Sequence, residues 1–161
     1  MKPKQLSEEL IRYRTITGNK EEISQALEHL KKQFGADFNI KEFEKEGVKS
    51  LLIASRKTEE IDVILHGHID VVDAEEELFR PRKRGGKLFG RGATDMKSGV
   101  ACITEVMKEI ENQGLGLLIT SDEEKGGFKG TGYVLEKEEL SPELVISAEP
   151  DDSGGFPSIV N

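Results

Sequence analysis

Apolar residues near the N-terminus recur at the spacing of amphipathic helices. Leu6, Leu10 and Tyr13 lie three or four residues apart and predict a first short helix. A second helix is predicted between Asn19, a residue type that caps helix starts, and Gly35, which ends the pattern. Its apolar positions share one face: Ile23, Leu27, Leu30 and Phe34. We expect both helices to pack against a sheet.

The rest of the chain alternates between strand and helix patterns. Strands are predicted over residues 38–43, 48–54, 61–65, 115–120 and 144–147, and the third of them is apolar enough for a central position. Helices are predicted after Asp95 and over residues 130–138. The apolar face of the helix after Asp95 consists of Met96, Val100, Ile103, Met107 and Ile110. This alternation predicts an α/β fold, with a sheet covered by helices on both faces.

Composition and charge indicate an acidic, folded protein. Its 161 residues include 31 acidic and 23 basic side chains, a formal net charge of -8, so nucleic acid is not an expected partner. No apolar run approaches the roughly 18 residues of a membrane span, and the first ten residues lack a signal core. We therefore predict a cytoplasmic protein without a membrane partner. Cys102 is the single cysteine, which excludes an internal disulfide and a cysteine-based zinc cluster.

Histidine and acidic residues cluster after three of the predicted strands. They are His66, His68 and Asp70 after the third strand, Asp122, Glu123 and Glu124 after the fourth, and Glu149 after the fifth. Open α/β sheets bind ligands at the carboxyl ends of their strands, so we expect these groups to converge. Several carboxylates packed together require a counter-charge. An imidazole with several carboxylates and no thiolate favours zinc, manganese or cobalt, with coordination positions left for water.

The glycine-rich segment 85–95, GGKLFGRGATD, does not match a phosphate-binding loop. Such a loop requires Gly-Lys-Ser or Gly-Lys-Thr directly before its helix, whereas Asp95, Met96 and Lys97 open the helix here. Taken alone, Asp95 is better interpreted as a helix cap, because a carboxylate is favoured at a helix start.

Four motifs together resemble one family of enzymes. The motifs are LHGHIDVV at 65–72, GRGATDMKSG at 90–99, TSDEEKGG at 120–127 and SAEPD at 147–151. In order and spacing they resemble the co-catalytic zinc metallopeptidase family of succinyl-diaminopimelate desuccinylase, acetylornithine deacetylase, aminoacylase and glutamate carboxypeptidase. The resemblance implies a three-layer α/β/α catalytic domain of the zinc-exopeptidase type. Residues 1–161 would form the N-terminal part of that domain, without the inserted lid or dimerisation domain.

The resemblance also implies a role for each matching residue. The metal ligands would be His68 and Glu149 for a first ion, Glu124 for a second ion, and Asp95 as the bridge between them. Asp70 would orient the imidazole of the ligand histidine. Glu123 would act as the general base, taking a proton from water and passing it to the departing amine. The implied cofactors are two divalent ions, with zinc preferred and cobalt or manganese as alternatives.

The sequence departs from the family in its histidines. Family members supply one more histidine ligand for the second metal and a lid histidine from later parts of the chain. The histidines here are His29, His66 and His68, so both are missing. We therefore expect a gene fragment, a shortened product or one half of a split enzyme. Full activity should require an absent C-terminal portion, and a full-length form could be a homodimer.

The predicted function is hydrolysis of an amide bond in an N-acyl amino acid or small peptide. One alternative is a non-catalytic remnant or partner-binding domain with at most one weak metal site. Another is a magnesium phosphohydrolase built on Asp70, Asp95 and Asp122, which is disfavoured because the histidine and paired glutamates suit zinc better.

Plain structural roles are predicted for several neighbouring residues. His66 is interpreted as a strand-end residue that bonds a backbone group, and Cys102 as a small packing residue. For Lys97 and Arg91 a surface or capping role is at least as good an interpretation as charge neutralisation.

Overall fold

The computed structural model describes residues 2–58, 60–110 and 114–150, together with the backbone of residues 159–160. The helices are α1 (Pro3–Arg12), α2 (Lys20–Lys31), α3 (Lys97–Glu109) and α4 (Thr131–Lys137). The strands are β1 (Phe38–Lys45), β2 (Val48–Ser55), β3 (Val63–His68), β4 (Arg82–Arg84), β5 (Lys87–Phe89), β6 (Leu115–Thr120), β7 (Leu144–Ser147) and β8 (Ile159–Val160).

The main sheet has the strand order β1-β2-β6-β3-β7-β8. β3 runs parallel to both of its neighbours, β6 and β7, whereas the remaining pairs are antiparallel. β6 is buried along its whole length, as expected for a strand covered on both faces. The predicted central position of the third strand is confirmed. His68 pairs with Thr120 and His66 with Ser147, so the carboxyl ends of these three strands lie side by side.

Apolar side chains cover both faces of the sheet. Successive residues along a strand point to opposite faces, so Leu117 and Ile119 pack beneath α1, α2 and α3, while Leu118 packs with Val134 of α4. The first face has the larger core, which includes Leu6, Leu10, Ile23, Leu27, Leu30, Val100 and Met107 from the helices. The predicted three-layer α/β/α architecture is confirmed.

The hairpin formed by β4 and β5 was not predicted from the sequence. Its strands have three residues each, and β4 is Arg82-Lys83-Arg84, which lacks the apolar alternation on which strand prediction depends. Gly85 and Gly86 form the turn with φ angles of 57° and 76°, in the left-handed region that favours glycine. Part of the glycine-rich segment therefore serves a hairpin turn.

Several predicted boundaries differ from the structure. The predicted cap of α2 is confirmed, since the Asn19 side chain accepts a hydrogen bond from the Glu22 amide. The helix itself ends at Lys31, four residues before Gly35. β3 covers residues 63–68 instead of 61–65, because it continues through the histidines to pair with both neighbours. The two-residue strand β8 was not predicted.

Two residues of the α3 region are more exposed than predicted. Ile110 lies just beyond the helix and is half-exposed, so it does not belong to the buried apolar face. Cys102 is exposed, and its interpretation as a packing residue was wrong, because its position in α3 points away from the sheet core. Asp151, the last residue of the SAEPD motif, lies outside the described residues.

Candidate metal centre

The candidate site lies where three adjacent strands end. His68 is the last residue of β3, Glu123 follows β6 by three positions, and Glu149 follows β7 by two. Asp95 joins them from the loop before α3, where the Asp95–Met96 peptide bond is cis. Because β3 is parallel to β6 and β7, all three strand ends face the same edge.

Three carboxylates surround one nitrogen of the His68 ring. The Nε2 atom lies 3.1 Å from Asp95 Oδ1, 3.6 Å from Glu149 Oε1 and 3.7 Å from Glu123 Oε2. The imidazole is fully buried, whereas the side chains of Asp95, Glu123 and Glu149 are 53%, 46% and 33% exposed. One ligand atom each from His68, Asp95 and Glu149 lies within 4.8 Å of the others, a separation that one ion can bridge.

The other nitrogen of the ring faces Asp70. The Nδ1 atom lies 3.0 Å from the Asp70 carbonyl oxygen and 3.3 Å from its Oδ1 atom. Both are acceptors, so Nδ1 keeps its proton, and the Nε2 lone pair becomes available to a ligand once Nε2 gives up its own proton. The Asp70 carboxylate also accepts hydrogen bonds from the amides of Glu123 at 3.2 Å and Glu124 at 3.3 Å. These contacts of Asp70 therefore fix both the His68 imidazole and the turn that carries Glu123 and Glu124, which we call the acidic turn.

The electrostatics of the cluster suit a cation. Burial opposes the charged form of His68, but the hydrogen bond and charge of Asp70, with the charges of Glu149 and Glu123, raise its pKa to about 9. Burial, together with the negative charges of Asp95 and Glu123, raises the pKa of Glu149 to about 7, although the charge of His68 opposes this. Excess negative charge is thus compensated by protons, which a divalent ion would displace. The residues present fit a divalent metal.

Glu124 stands apart from this group. It is absent from the compact set that could share one ion among the described residues, which contains His68, Asp95 and Glu149. Burial and then the negative charge of Asp95 raise the pKa of Glu124, so the two carboxylates act on each other electrostatically. Its predicted role as a ligand of a second ion stays a prediction.

The Asp122 carboxylate is buried and accepts hydrogen bonds from backbone amides. The donors to its Oδ2 atom are the amides of Lys129 at 2.9 Å and Gly130 at 3.0 Å, just before α4. Asp70 is likewise bonded to backbone amides. Among the described residues, the compact set that could share one ion contains His68, Asp95 and Glu149 but neither Asp70 nor Asp122, which disfavours the phosphohydrolase alternative.

Two neighbouring residues differ wholly or partly from their predicted roles. His66 bonds side chains instead of backbone, with Nε2 at 3.1 Å from the Thr131 hydroxyl and Nδ1 at 3.5 Å from the Ser147 hydroxyl. Burial and the nearby His68 lower the pKa of His66 to about 4, so this ring is neutral. Lys97 is fully buried, so the surface alternative was wrong, whereas its hydrogen bond of 2.7 Å to the carbonyl oxygen of Tyr13, the C-cap residue of α1, agrees with the capping alternative.

Thr17 is a residue at the site that sequence reasoning missed. Its hydroxyl donates a hydrogen bond of 2.9 Å to Asp70 Oδ2, across 53 positions of sequence. The segment between α1 and α2 carries no acidic or metal-ligating pattern that would single it out.

Comparison with protein families and curated proteins identifies relatives. A family model described as peptidase family M20/M25/M40 matches residues 64–159. Succinyl-diaminopimelate desuccinylase from a Nitratiruptor species is 38% identical over 128 residues, which cover 74% of this chain and 35% of that protein. The protein of the same name from Nautilia profundicola is 42% identical with the same coverage. This chain therefore spans about a third of the length of the curated relatives it matches.

Solved structures share the fold. An M20 family metallo-carboxypeptidase, Sso-CP2 from Sulfolobus solfataricus, superposes with a TM-score of 0.69 at 18% identity, covering 96% of this chain and 39% of that one. Human carnosine dipeptidase 1 superposes with a TM-score of 0.66 at 19% identity, covering 85% and 35%. At these identities the likeness concerns the fold, and it agrees with the α/β/α architecture described above.

The remaining predictions concern the surroundings of the protein. Among the described helices, none combines the length and the apolar character that a bilayer crossing requires. The cytoplasmic location, the exclusion of nucleic acid and the homodimer of a full-length form stay predictions.

Proposed function

The chain belongs to peptidase family M20/M25/M40, and from this premise we propose that it forms part of a metal-dependent hydrolase that cleaves an amide bond in an N-acyl amino acid or small peptide. The observation that carries the proposal is the convergence of His68, Asp95 and Glu149 on one position, with Glu123 beside them. Because the curated relatives are named as desuccinylases, N-succinyl amino acids are the first substrates to test.

Two divalent ions would bind this chain together with ligands from residues beyond it. His68 and Glu149 would hold the first ion, Asp95 would bridge both, and Glu124 would bind the second. Bound there, such ions polarise a carbonyl oxygen and lower the pKa of water. Zinc suits these ligands, with cobalt or manganese as alternatives.

The second ion would be under-coordinated by this chain. Of the other two histidines, His29 pairs with Glu9 at 2.9 Å between α2 and α1, and His66 contacts hydroxyl groups. That leaves Asp95 and Glu124 as its predicted ligands. We propose that full activity requires residues beyond this chain.

The chain's own side chains would divide the remaining work. Asp70 keeps the proton of His68 on Nδ1, so that Nε2 presents its lone pair to the metal position. The backbone amide of Glu123 donates a hydrogen bond to Asp70 Oδ1, and the half-exposed Glu123 carboxylate lies 3.7 Å from His68 Nε2, beside the proposed metal position. Glu123 would accept a proton from water as the amide carbon is attacked and then deliver that proton to the departing amine nitrogen.

Zinc titration of the chelator-treated chain tests the metal site. We expect isothermal titration calorimetry to detect one tightly bound zinc ion, with any second ion bound more weakly. His68→Ala should abolish the tight site, because it removes the one buried imidazole that faces the carboxylates. His29→Ala is the matched control and should bind zinc like the unaltered chain.

Hydrolysis of N-succinyl and N-acetyl amino acids should be assayed on this chain and on a version extended to the length of its relatives. Turnover by the extended protein that depends on zinc supports the proposal. Zinc binding without turnover in either form would favour the alternative of a non-catalytic metal-binding domain. Equal zinc affinity in the His68→Ala and unaltered chains would contradict the proposed site.

A further inference from the structure

The connection between α1 and α2 lies against the segment that carries Asp70. Residues 15–17 and 69–71 run side by side in parallel, with a β-bridge between Ile16 and Val71. Two hydrogen bonds form this bridge, Thr17 N to Val71 O at 3.1 Å and Val71 N to Thr15 O at 3.0 Å, and the Thr15 hydroxyl adds a third by donating to Ile69 O at 2.6 Å. The backbone of residues 15–17 is therefore held in place by hydrogen bonds that do not involve the Thr17 side chain.

The Thr17 hydroxyl begins a short series of hydrogen bonds that leads to the acidic turn. It donates to Asp70 Oδ2, which also accepts the Glu124 amide, while Asp70 Oδ1 accepts the Glu123 amide. The Asp70 side chain is fully buried, so bulk water does not compete for these oxygens. Hydrogen bonds to a charged acceptor are stronger than those between neutral groups.

We propose that Thr17 is a positioning residue of the candidate site, and that its hydroxyl holds the Asp70 carboxylate in the orientation that binds the Glu123 and Glu124 amides. Without this donor, the carboxylate loses one of the contacts that fix its rotation about the Cβ–Cγ bond. The two amides then lose a well-placed acceptor. The consequence for catalysis rests on the proposed function, since it is there that Glu123 serves as the base.

Amide hydrogen exchange on the metal-free chain tests the proposal directly. We expect the Glu123 and Glu124 amides to exchange about tenfold faster in Thr17→Val, the size of effect that follows from weakening a hydrogen bond to a charged group. Thr17→Ser keeps the hydroxyl and should restore slow exchange. Thr58→Val is the matched control, because the Thr58 hydroxyl is buried without a hydrogen-bond partner in the described part of the chain.

The exchange pattern separates positioning from a loss of stability. The amides of Ile53 and Leu117, in the core strands, should exchange at unaltered rates in Thr17→Val. Faster exchange throughout the sheet, or unchanged exchange at Glu123 and Glu124, would overturn the proposal.

Steady-state kinetics of the zinc-loaded protein, in the form that shows hydrolysis, provide a second measurement. Thr17→Val should lower kcat about tenfold at unchanged KM, and Thr17→Ser should recover most of it. An unaltered kcat with faster exchange at Glu123 would overturn the catalytic consequence. If the unaltered protein hydrolyses no acylated amino acid while the exchange result holds, the proposed function fails and the positioning of the acidic turn stands.

Discussion

Replacing Glu123 with glutamine is expected to lower kcat by about 10²- to 10⁴-fold, the range that a positioned general base contributes. Glutamine has nearly the same shape and keeps the backbone amide that bonds to Asp70, but its side chain cannot accept the proton. The carboxylate oxygen lies 3.7 Å from His68 Nε2, on the side where the metal ligands converge. The zinc content should stay unchanged, because the compact ligand set contains His68, Asp95 and Glu149.

The measurement pairs kinetics with metal analysis on the form of the protein that shows hydrolysis. Glu136→Gln, on the exposed surface of α4, is the matched control for removing one carboxylate charge and should leave both quantities unaltered. Loss of zinc together with activity in Glu123→Gln would show that Glu123 is a metal ligand. Unaltered kcat would assign the base to another residue.

The parts of the fold that were predictable are those with a strong periodic pattern. The central strand β6 is a continuous apolar run, and α2 combines a capping asparagine with a regular apolar face, so local sequence and tertiary packing favour the same structure. The β4–β5 hairpin follows no such pattern, because its strands are short and β4 is entirely basic. Its turn is encoded by Gly85 and Gly86, which from the sequence alone were interpreted only as part of a candidate phosphate loop.

The part of the candidate site that lies at or just after the ends of strands was predictable from the sequence. His68, Glu123 and Glu149 follow or end parallel strands, and that placement alone predicts their convergence. Asp95 carries no such signal, since a carboxylate before a helix is usually a cap, and only the resemblance of the four motifs assigned it to the metal.

The burial of Lys97 was not predictable from the sequence. Lys97 donates to the Tyr13 carbonyl oxygen across 84 positions of sequence, and lysine is among the residues least often fully buried. Pattern analysis therefore places it on the surface. Burial lowers the pKa of Lys97 to about 7, which shows how strongly packing has overridden the preference of its charge for water.

Replacing Asp70 with alanine is expected to lower the free energy of unfolding of the metal-free chain by about 3 kcal/mol or more, the cost of removing one partner of a buried ion pair. His68 and Asp70 are both fully buried, and the raised pKa of His68 keeps its ring charged at neutral pH. The substitution also leaves the Thr17 hydroxyl and the amides of Glu123 and Glu124 without their acceptor. Urea denaturation monitored by circular dichroism measures the change.

The same substitution separates the two roles of Asp70, as a stabilising group and as the orienter of a metal ligand. Zinc affinity should fall about 10- to 100-fold, because the carboxylate that orients the ligand imidazole is lost and only the backbone carbonyl still accepts from Nδ1. Both variants keep the backbone carbonyl that faces His68 Nδ1, but Asp70→Asn also keeps the side-chain volume and one side-chain oxygen that can accept from Nδ1. Its zinc affinity should therefore lie between those of the alanine variant and the unaltered chain. If Asp70→Ala unfolds at the same urea concentration as the unaltered chain, the buried ion pair and the amide contacts do not stabilise the fold. If stability falls but zinc affinity is retained, the Asp70 carbonyl or another neighbour orients His68, and the carboxylate serves the acidic turn alone.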